Sequence, residues 1–470
     1  METHKLSALC CVISVVLMLC SYGGAQDKRV LSLKNAGMEE KSTAQICMPQ
    51  RSRRENGATI LELKHHSSCS MPNRTPQLNL SKMFDSDDKR VSSWTSRIRG
   101  VDLKSSSEAD IPLTSGVQLQ TLNYIVTIKI GGKEMILVVD TGSDLTWVQC
   151  QPCSSCYSQE DPIFNPSASP SYQPILCNAP TCSSVQIATG ISFSCGIDQP
   201  SCNYSLSYGD GSYTSGVLGW EQIDLAGTII DGFVFGCGQT NHGLFGGTSG
   251  LVGLGRTQLS LVSQTIPQFG GIFSYCLPPK EYDSSGSLVL GGDPSIFKNT
   301  TPVSYTRIIS DPLESPFYFL NLTGISIGTV PLQASGFHKK VIIDSGTVIS
   351  RLVPSVYKAL RDEFKRQFSI YPMAPGFSIL DTCFNLAGHE EVSIPAIKLV
   401  FEGDVEVDVD ASGILYFVKL DSSQVCLAIS SLPFEDDVAI IGNYQQKNLR
   451  VVYDTLGSRL GFAEETCDWL

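Results

Sequence analysis

The chain has 470 residues, with 34 Lys+Arg against 46 Asp+Glu and a net charge of −12. That length allows two to four domains and a sizeable core. The acidic balance excludes a phosphate-binding, nucleic-acid class, and 42% hydrophobic residues exclude a disordered chain. The charge is divided: residues 26–110 carry +4, residues 111–470 carry −16, and the first 25 cancel.

Taken in chain order, His4 and Lys5 precede an apolar run from Leu6 to Cys20, followed by small residues through Ala25. The run is shorter than the roughly 20 residues a membrane span needs, so residues 1–25 are expected to be a secretory signal. Residues 26–118 are polar, Ser-rich and basic, carrying Arg51, Arg53, Arg54, Lys89, Arg90, Arg97 and Arg99. Their pattern is weak, apart from a strand-like alternation over Ile60–Lys64. From Tyr124-Ile125-Val126-Thr127-Ile128-Lys129-Ile130 onward, β-branched alternation recurs in short runs separated by Gly, Asp, Asn and Pro. The best helix signal is Pro354–Gln367, with Val356, Leu360 and Phe364 spaced four apart. An all-β body follows.

Seventeen cysteines suit an oxidising compartment. Past the signal and the basic segment, twelve remain: Cys150, Cys153, Cys156, Cys177, Cys182, Cys195, Cys202, Cys237, Cys276, Cys383, Cys426 and Cys467. Six disulfides are expected; the Cys150-x-x-Cys153-x-x-Cys156 spacing superficially imitates metal ligation, but an exported chain favours disulfides over metal. Glycosylation sequons stand at Asn73, Asn79, Asn203, Asn299 and Asn321.

The chain repeats itself. Val138-Val139-Asp140-Thr141-Gly142-Ser143 returns 204 residues later as Ile342-Ile343-Asp344-Ser345-Gly346-Thr347. About 100 residues behind each copy comes an apolar pair and a glycine, Leu251-Val252-Gly253 and Ile440-Ile441-Gly442. A buried strand can deliver each carboxylate, glycine lets the backbone turn, and the flanking hydroxyls can donate hydrogen bonds. One Asp-x-Gly turn is ordinary loop chemistry. Two matched copies point to paired carboxylates from two duplicated lobes.

At these residues the chain resembles the pepsin-like aspartic proteases, from about Tyr124 to Phe462. Val451-Val452-Tyr453-Asp454 and Gly461-Phe462-Ala463 resemble the family's terminal strands. Tyr208-Gly209-Asp210-Gly211-Ser212 resembles its flap turn, and Trp147 the tryptophan supporting the flap tyrosine. The run from Asp140 to Cys150, the cysteine-rich stretch through Cys202, Phe235-Gly236-Cys237-Gly238 and Phe273-Ser274-Tyr275-Cys276-Leu277 are similar to the plant nepenthesin-type branch.

The resemblance implies a bilobal acid protease fold with its cleft between two β-rich lobes. The expected divisions are 1–25 signal, 26–118 basic propeptide, 119–305 N-terminal lobe and 306–470 C-terminal lobe. A cysteine-rich insert (150–202) and the flap (208–212) fall in the first lobe. Asp140 and Asp344 are the implied catalytic pair, sharing one proton across the cleft. Ser143 and Thr347 are expected to donate to their outer oxygens, and Thr141 and Ser345 to tie the two loops together. Tyr208, Gly209 and Trp147 are the implied flap and substrate-binding residues. Disulfide pairing stays open, Cys383 with Cys426 being the one couple singled out.

The expected activity is acid-pH endopeptidase action on polypeptide substrates, with the propeptide as intramolecular inhibitor. No cofactor, metal, nucleic acid or membrane anchor is expected, and the chain is expected to be a monomer. The expected destination is the secretory pathway, extracellular (apoplast) first and vacuole as the alternative. A catalytically silent inhibitor or binding protein on the same fold remains the competing reading, since fold alone does not establish proteolysis. His242, His338 and His389 accompany no recognisable nucleophile motif, which argues against serine or cysteine hydrolases.

Overall fold

A computed structural model describes residues 28–33, 50–65, 80–98, 123–196, 200–208, 211–243, 245–279, 285–297, 300–310 and 316–467. The expected signal, Cys47, Cys69, Asn73, Asn79, Asn299 and Gly209 lie outside these residues.

The body is built of strands, as the alternating runs require. Tyr124–Ile130 turns through Gly131 and Gly132, both at positive φ, into Lys133–Asp140, with Ile130 opposite Lys133. Glycine suits this tight reversal because it adopts positive φ without steric cost. Lys133–Asp140 then pairs in parallel with Gly250–Gly253, and that strand pairs antiparallel with Trp147–Gln149. The second half repeats the plan. Lys339–Ile343 pairs in parallel with Ala439–Ile441, which meets Ser350–Leu352 antiparallel. The sequence echoes Leu251-Val252-Gly253 and Ile440-Ile441-Gly442 are therefore the strands lying beside the two Asp-bearing strands.

These units sit in a sixteen-stranded sheet and an eight-stranded sheet, accompanied by smaller sheets of four and two strands. The largest sheet joins distant parts of the chain. Leu449–Asp454 pairs with Ile272–Cys276, and Arg459–Glu464 pairs with Ser304–Arg307. The helix Pro354–Gln367 coincides with its expected bounds. Proline occupies its first turn, Val356, Tyr357, Leu360 and Phe364 are buried, and Lys365 and Arg366 complement the C-terminal dipole.

The basic segment is folded into this body. Lys28–Ser32 pairs with Glu391–Pro395 on the C-terminal side. Ala58–His65 lies between Gly286–Leu290 and Tyr124–Ile130 in the large sheet, with Ile60, Leu61 and Leu63 buried. Leu80–Ile98 is a 19-residue helix where the sequence reading found little pattern. Its buried residues, Met83, Phe84, Asp87, Val91, Trp94 and Thr95, recur every three or four positions and so form one face. An aspartate on that face breaks the apolar stripe, which hid the period.

Among the described residues six disulfides close the frame: Cys150–Cys237, Cys153–Cys156, Cys177–Cys195, Cys182–Cys202, Cys276–Cys467 and Cys383–Cys426. The Cys150, Cys153 and Cys156 run is thus shared between two bridges. Cys276–Cys467 spans 191 residues and fastens the chain's end to the large sheet.

Because Leu63 is fully buried in a central strand, Leu63→Ala should lower the unfolding free energy by about 2–5 kcal/mol. Val30→Ala, at a side chain 67% exposed, should change it by less than about 0.5 kcal/mol. Thermal or denaturant melts of the full chain compare the two; equal effects would remove the strand from the core.

Candidate active site

Each copy of the Asp motif emerges at the end of a buried parallel strand and turns immediately. Both carboxylates, Asp140 and Asp344, have no exposed surface. Within each loop, the glycine N–H donates to its own aspartate: Gly142 N to Asp140 Oδ1 and Gly346 N to Asp344 Oδ1, both at 2.9 Å.

The two loops face each other. A Cβ on Gly142 would stand 2.8 Å from Asp344 Oδ1, and one on Gly346 would stand 2.3 Å from Asp140 Oδ1. Each glycine is small because the opposite lobe's carboxylate occupies that space. Cross-lobe hydrogen bonds set the spacing. Thr141 N donates to Ser345 Oγ at 3.1 Å, and Ser345 N donates to Thr141 Oγ1 at 2.9 Å. Ser345 Oγ also donates to the Val139 carbonyl at 3.1 Å.

The supporting hydroxyls are not equivalent. Ser143 Oγ donates to Asp140 Oδ2 at 2.6 Å. The matching bond expected from Thr347 is not formed: Thr347 Oγ1 is buried without a hydrogen-bond partner, and Asp344 Oδ2 accepts none. Thr347 still lies near enough to oppose the rise in Asp344's pKa. The oxygen it was expected to serve is turned toward a cation instead.

That cation is Arg90, on the Leu80–Ile98 helix. Its Nη2 lies 2.7 Å from Asp140 Oδ1 and 3.5 Å from Asp344 Oδ2. The guanidinium also stacks over Trp94, 4.3 Å from the ring centroid. Burial raises the Asp344 carboxyl most strongly, Arg90 pulls it back and the neighbouring Asp140 adds to the rise, and together they bring it to about 6. Two like charges in a dry pocket cannot both ionise cheaply, so this is the expected direction.

Tyr208 and Trp147 meet as expected for a flap and its support. Trp147 Nε1 donates to Tyr208 OH at 2.8 Å, and Phe245 packs edge-on against both rings. Among the sequon sites, Asn203 lies in the strand Cys202–Ser207, and Asn321 donates Nδ2 to Glu402 at 3.3 Å. That nitrogen is the atom a glycan would require.

Sequence reading named Arg90 only as one of several basic residues and missed two of its neighbours in function. Asp87, three residues earlier on the helix, accepts from Val348 N at 2.7 Å, Ile349 N at 3.2 Å and Arg351 Nη2 at 3.1 Å. Helical spacing among Met83, Asp87, Arg90 and Trp94 was the available signal. Nothing local marked Arg351 as special.

Comparison with known proteins places this geometry among relatives. Residues 124–292 match the family model described as xylanase inhibitor N-terminal, and residues 317–464 match xylanase inhibitor C-terminal. An aspartyl protease family protein of Arabidopsis thaliana is 38% identical over 97% of this chain and 98% of its own. Aspartic proteinase nepenthesin-1 of Nepenthes gracilis is 34% identical over 73% of this chain and 78% of its own. Among solved structures, the protein titled edgp superposes with a TM-score of 0.59 at 19% identity, covering 88% of this chain and 96% of that one. Basic 7S globulin from soybean gives 0.57 at 20% identity, covering 74% and 94% respectively. These two likenesses concern the fold alone.

The raised pKa has a testable sign. The folded chain holds the Asp344 proton more tightly than an ordinary carboxyl near 3.8, so its contribution to stability falls as pH rises through about 6. Asn cannot titrate. Asp344→Asn should therefore stabilise the full chain at pH 7 relative to wild type, on the order of 1–3 kcal/mol, with little gain at pH 4. Melts at the two pH values test this, and an equal shift at both would refute it.

Proposed function

The chain belongs to the pepsin-like aspartic protease family, and from that premise we propose that it is an aspartic endopeptidase made as a zymogen. The observation that carries the reading is the meeting of Asp140 and Asp344: two buried carboxylates from duplicated loops, close enough to share one guanidinium. A substrate carbonyl and a water would take the place now held by Arg90.

In the reaction we propose, the pair carries one proton, held on Asp344, whose pKa burial raises. Ionised Asp140, oriented by Ser143 and Gly142, takes a proton from water as its oxygen attacks the peptide carbonyl carbon. Asp344 gives its proton to the carbonyl oxygen, forming a tetrahedral diol. Asp140 then protonates the departing nitrogen as the C–N bond breaks, and the diol returns one proton to Asp344. Because the carboxylates are coupled, the apparent pKa values measured in kinetics belong to the pair. Tyr208, fixed by Trp147, would shield the reacting atoms from bulk water.

In this reading the expected propeptide, residues 26–118, is the intramolecular inhibitor, and the helix Leu80–Ile98 is the part of it that meets the dyad. Arg90 fills the position of the reacting atoms, and Trp94 stands against Phe317 with centroids 5.1 Å apart. Docking lowers the Asp344 pKa through Arg90. By linkage, that contribution to docking is present at high pH and lost as pH falls through about 6. Acid would thus open the site. The six disulfides and the leader sequence support maturation in the secretory pathway, with the apoplast as the proposed destination.

The family model's description as a xylanase inhibitor favours one second reading, a silent binding protein on the same fold. Protein digestion by the full chain near pH 4 separates them. Wild type should become active after acid treatment, Asp140→Asn should lose at least about 10³-fold, and a statine-type inhibitor should abolish the activity. Arg90→Met should gain activity at a higher pH than wild type, because the dyad loses its cap. Activity retained by Asp140→Asn, or absent from wild type after the helix Leu80–Ile98 is released with residues 50–65 kept in place, would overturn the proposal.

A further inference from the structure

The Leu80–Ile98 helix records the chemistry of the surface it covers. Met83 and Phe84 enter an apolar cluster with Val348, Ile349, Leu380 and Tyr416. Arg90 meets the dyad. Between these contacts Asp87 meets a recess made for a carboxylate: two backbone N–H groups and the guanidinium of Arg351.

Arg351 has no exposed surface, and among the described residues its ion pairs are with Asp87 at 3.1 Å and Asp88 at 3.6 Å. Both belong to the helix. On its own lobe Arg351 donates Nη1 to the Ile349 carbonyl at 2.7 Å, which orients the group without neutralising it.

The duplication shows why Arg351 stands at the cleft. It lies seven residues beyond Asp344, as Trp147 lies seven beyond Asp140. Trp147 pairs with Leu251 and Arg351 with Ile440, the equivalent positions of the two repeated units. Trp147 serves the flap on its side. The same position in the other lobe carries a guanidinium whose counter-ion comes from the segment that must leave. A guanidinium deprived of its partner in a recessed site is costly unless water or another anion reaches it.

We propose that Arg351, with the N–H groups of Val348 and Ile349, forms a carboxylate-binding subsite that selects Asp or Glu in a bound peptide near the scissile bond. The proposal rests on the reading of Asp140 and Asp344 as a proteolytic pair and assigns that enzyme a substrate class, acidic peptides. A planar guanidinium and two convergent N–H donors discriminate a carboxylate from its amide isostere by charge as well as by hydrogen-bond count.

The test uses the full chain with site-specific cleavage sites introduced in residues 66–79 and 99–122, so the helix can leave while residues 50–65 remain. Wild type, Arg351→Met and Arg351→Lys are compared, each also with Asp87→Asn so that no precursor is left with an unpaired buried carboxylate. Cleavage of a peptide library at pH 5, where glutamate is mostly ionised, should show wild type favouring Asp and Glu over Asn and Gln by about tenfold at one position. Arg351→Met should bring that ratio within about twofold of unity and Arg351→Lys should restore part of it. An unchanged preference in Arg351→Met, or none in wild type, overturns the subsite. A second readout is independent of catalysis: in an Asp140→Asn background, fluorescence anisotropy compares labelled seven-residue peptides differing only as Glu or Gln. About tenfold tighter binding of the Glu peptide, abolished by Arg351→Met, supports the subsite even if wild type cleaves nothing, in which case only the protease reading falls. Equal affinities overturn the subsite whatever the activity.

Discussion

Two carboxylic acids held without solvent in one pocket form the constraint on which this molecule is organised. Ionised together they would repel each other in a medium that screens poorly, so the pocket must contain a proton or a cation. The fold answers the geometric half of the problem by duplication: one strand–turn unit is used twice, and each turn's glycine is the other's clearance. The hydroxyl and amide exchange between Thr141 and Ser345 fixes the distance, so the lobes cannot drift without breaking buried hydrogen bonds. The electrostatic half is answered by Arg90, a residue from outside both loops.

Both carboxylates touched by the helix are raised by burial and pulled back by a guanidinium, Asp344 by Arg90 and Asp87 by Arg351. Arg90 lowers the Asp344 pKa, so protonation there works against docking. Asp87 is held in the same way: burial raises its pKa, and Arg351 with two N–H donors opposes the rise. Protonation of either carboxylate weakens its attraction to the paired guanidinium, which is the physical basis of the release by acid proposed above. The apolar anchors at Phe84 and Trp94 do not titrate.

Much of the architecture could be read from residues because the pattern was local. Alternation located Tyr124–Ile130, spacing by four located Pro354–Gln367, and the repeated Asp-Thr/Ser-Gly loops disclosed both the duplication and the paired acids. What escaped detection was local pattern interrupted by a tertiary demand. The Leu80–Ile98 helix was concealed because its buried face includes Asp87, whose partner lies more than 260 positions away. Thr347 was expected to copy Ser143, yet symmetry at the level of sequence gave way where one asymmetric side chain, Arg90, entered between the copies. Arg351 could not be singled out because its significance comes from an offset shared with Trp147, visible once both strands are seen in place.

The strand Ala58–His65 makes the basic segment two different things. The helix is a plug: it covers the dyad and the Arg351 recess through side chains and pairs with no strand. The strand is a keystone: it has neighbours on both sides, Gly286–Leu290 and Tyr124–Ile130, and its departure would bare two sheet edges at once. If the chain is processed as proposed, proteolysis between strand and helix would leave a body assembled from two separate polypeptides, unless some other stretch of chain took the vacated row. On that proposal the segment would be cut from the protein without being wholly discarded, and the boundary between what leaves and what stays would run through the middle of the basic segment.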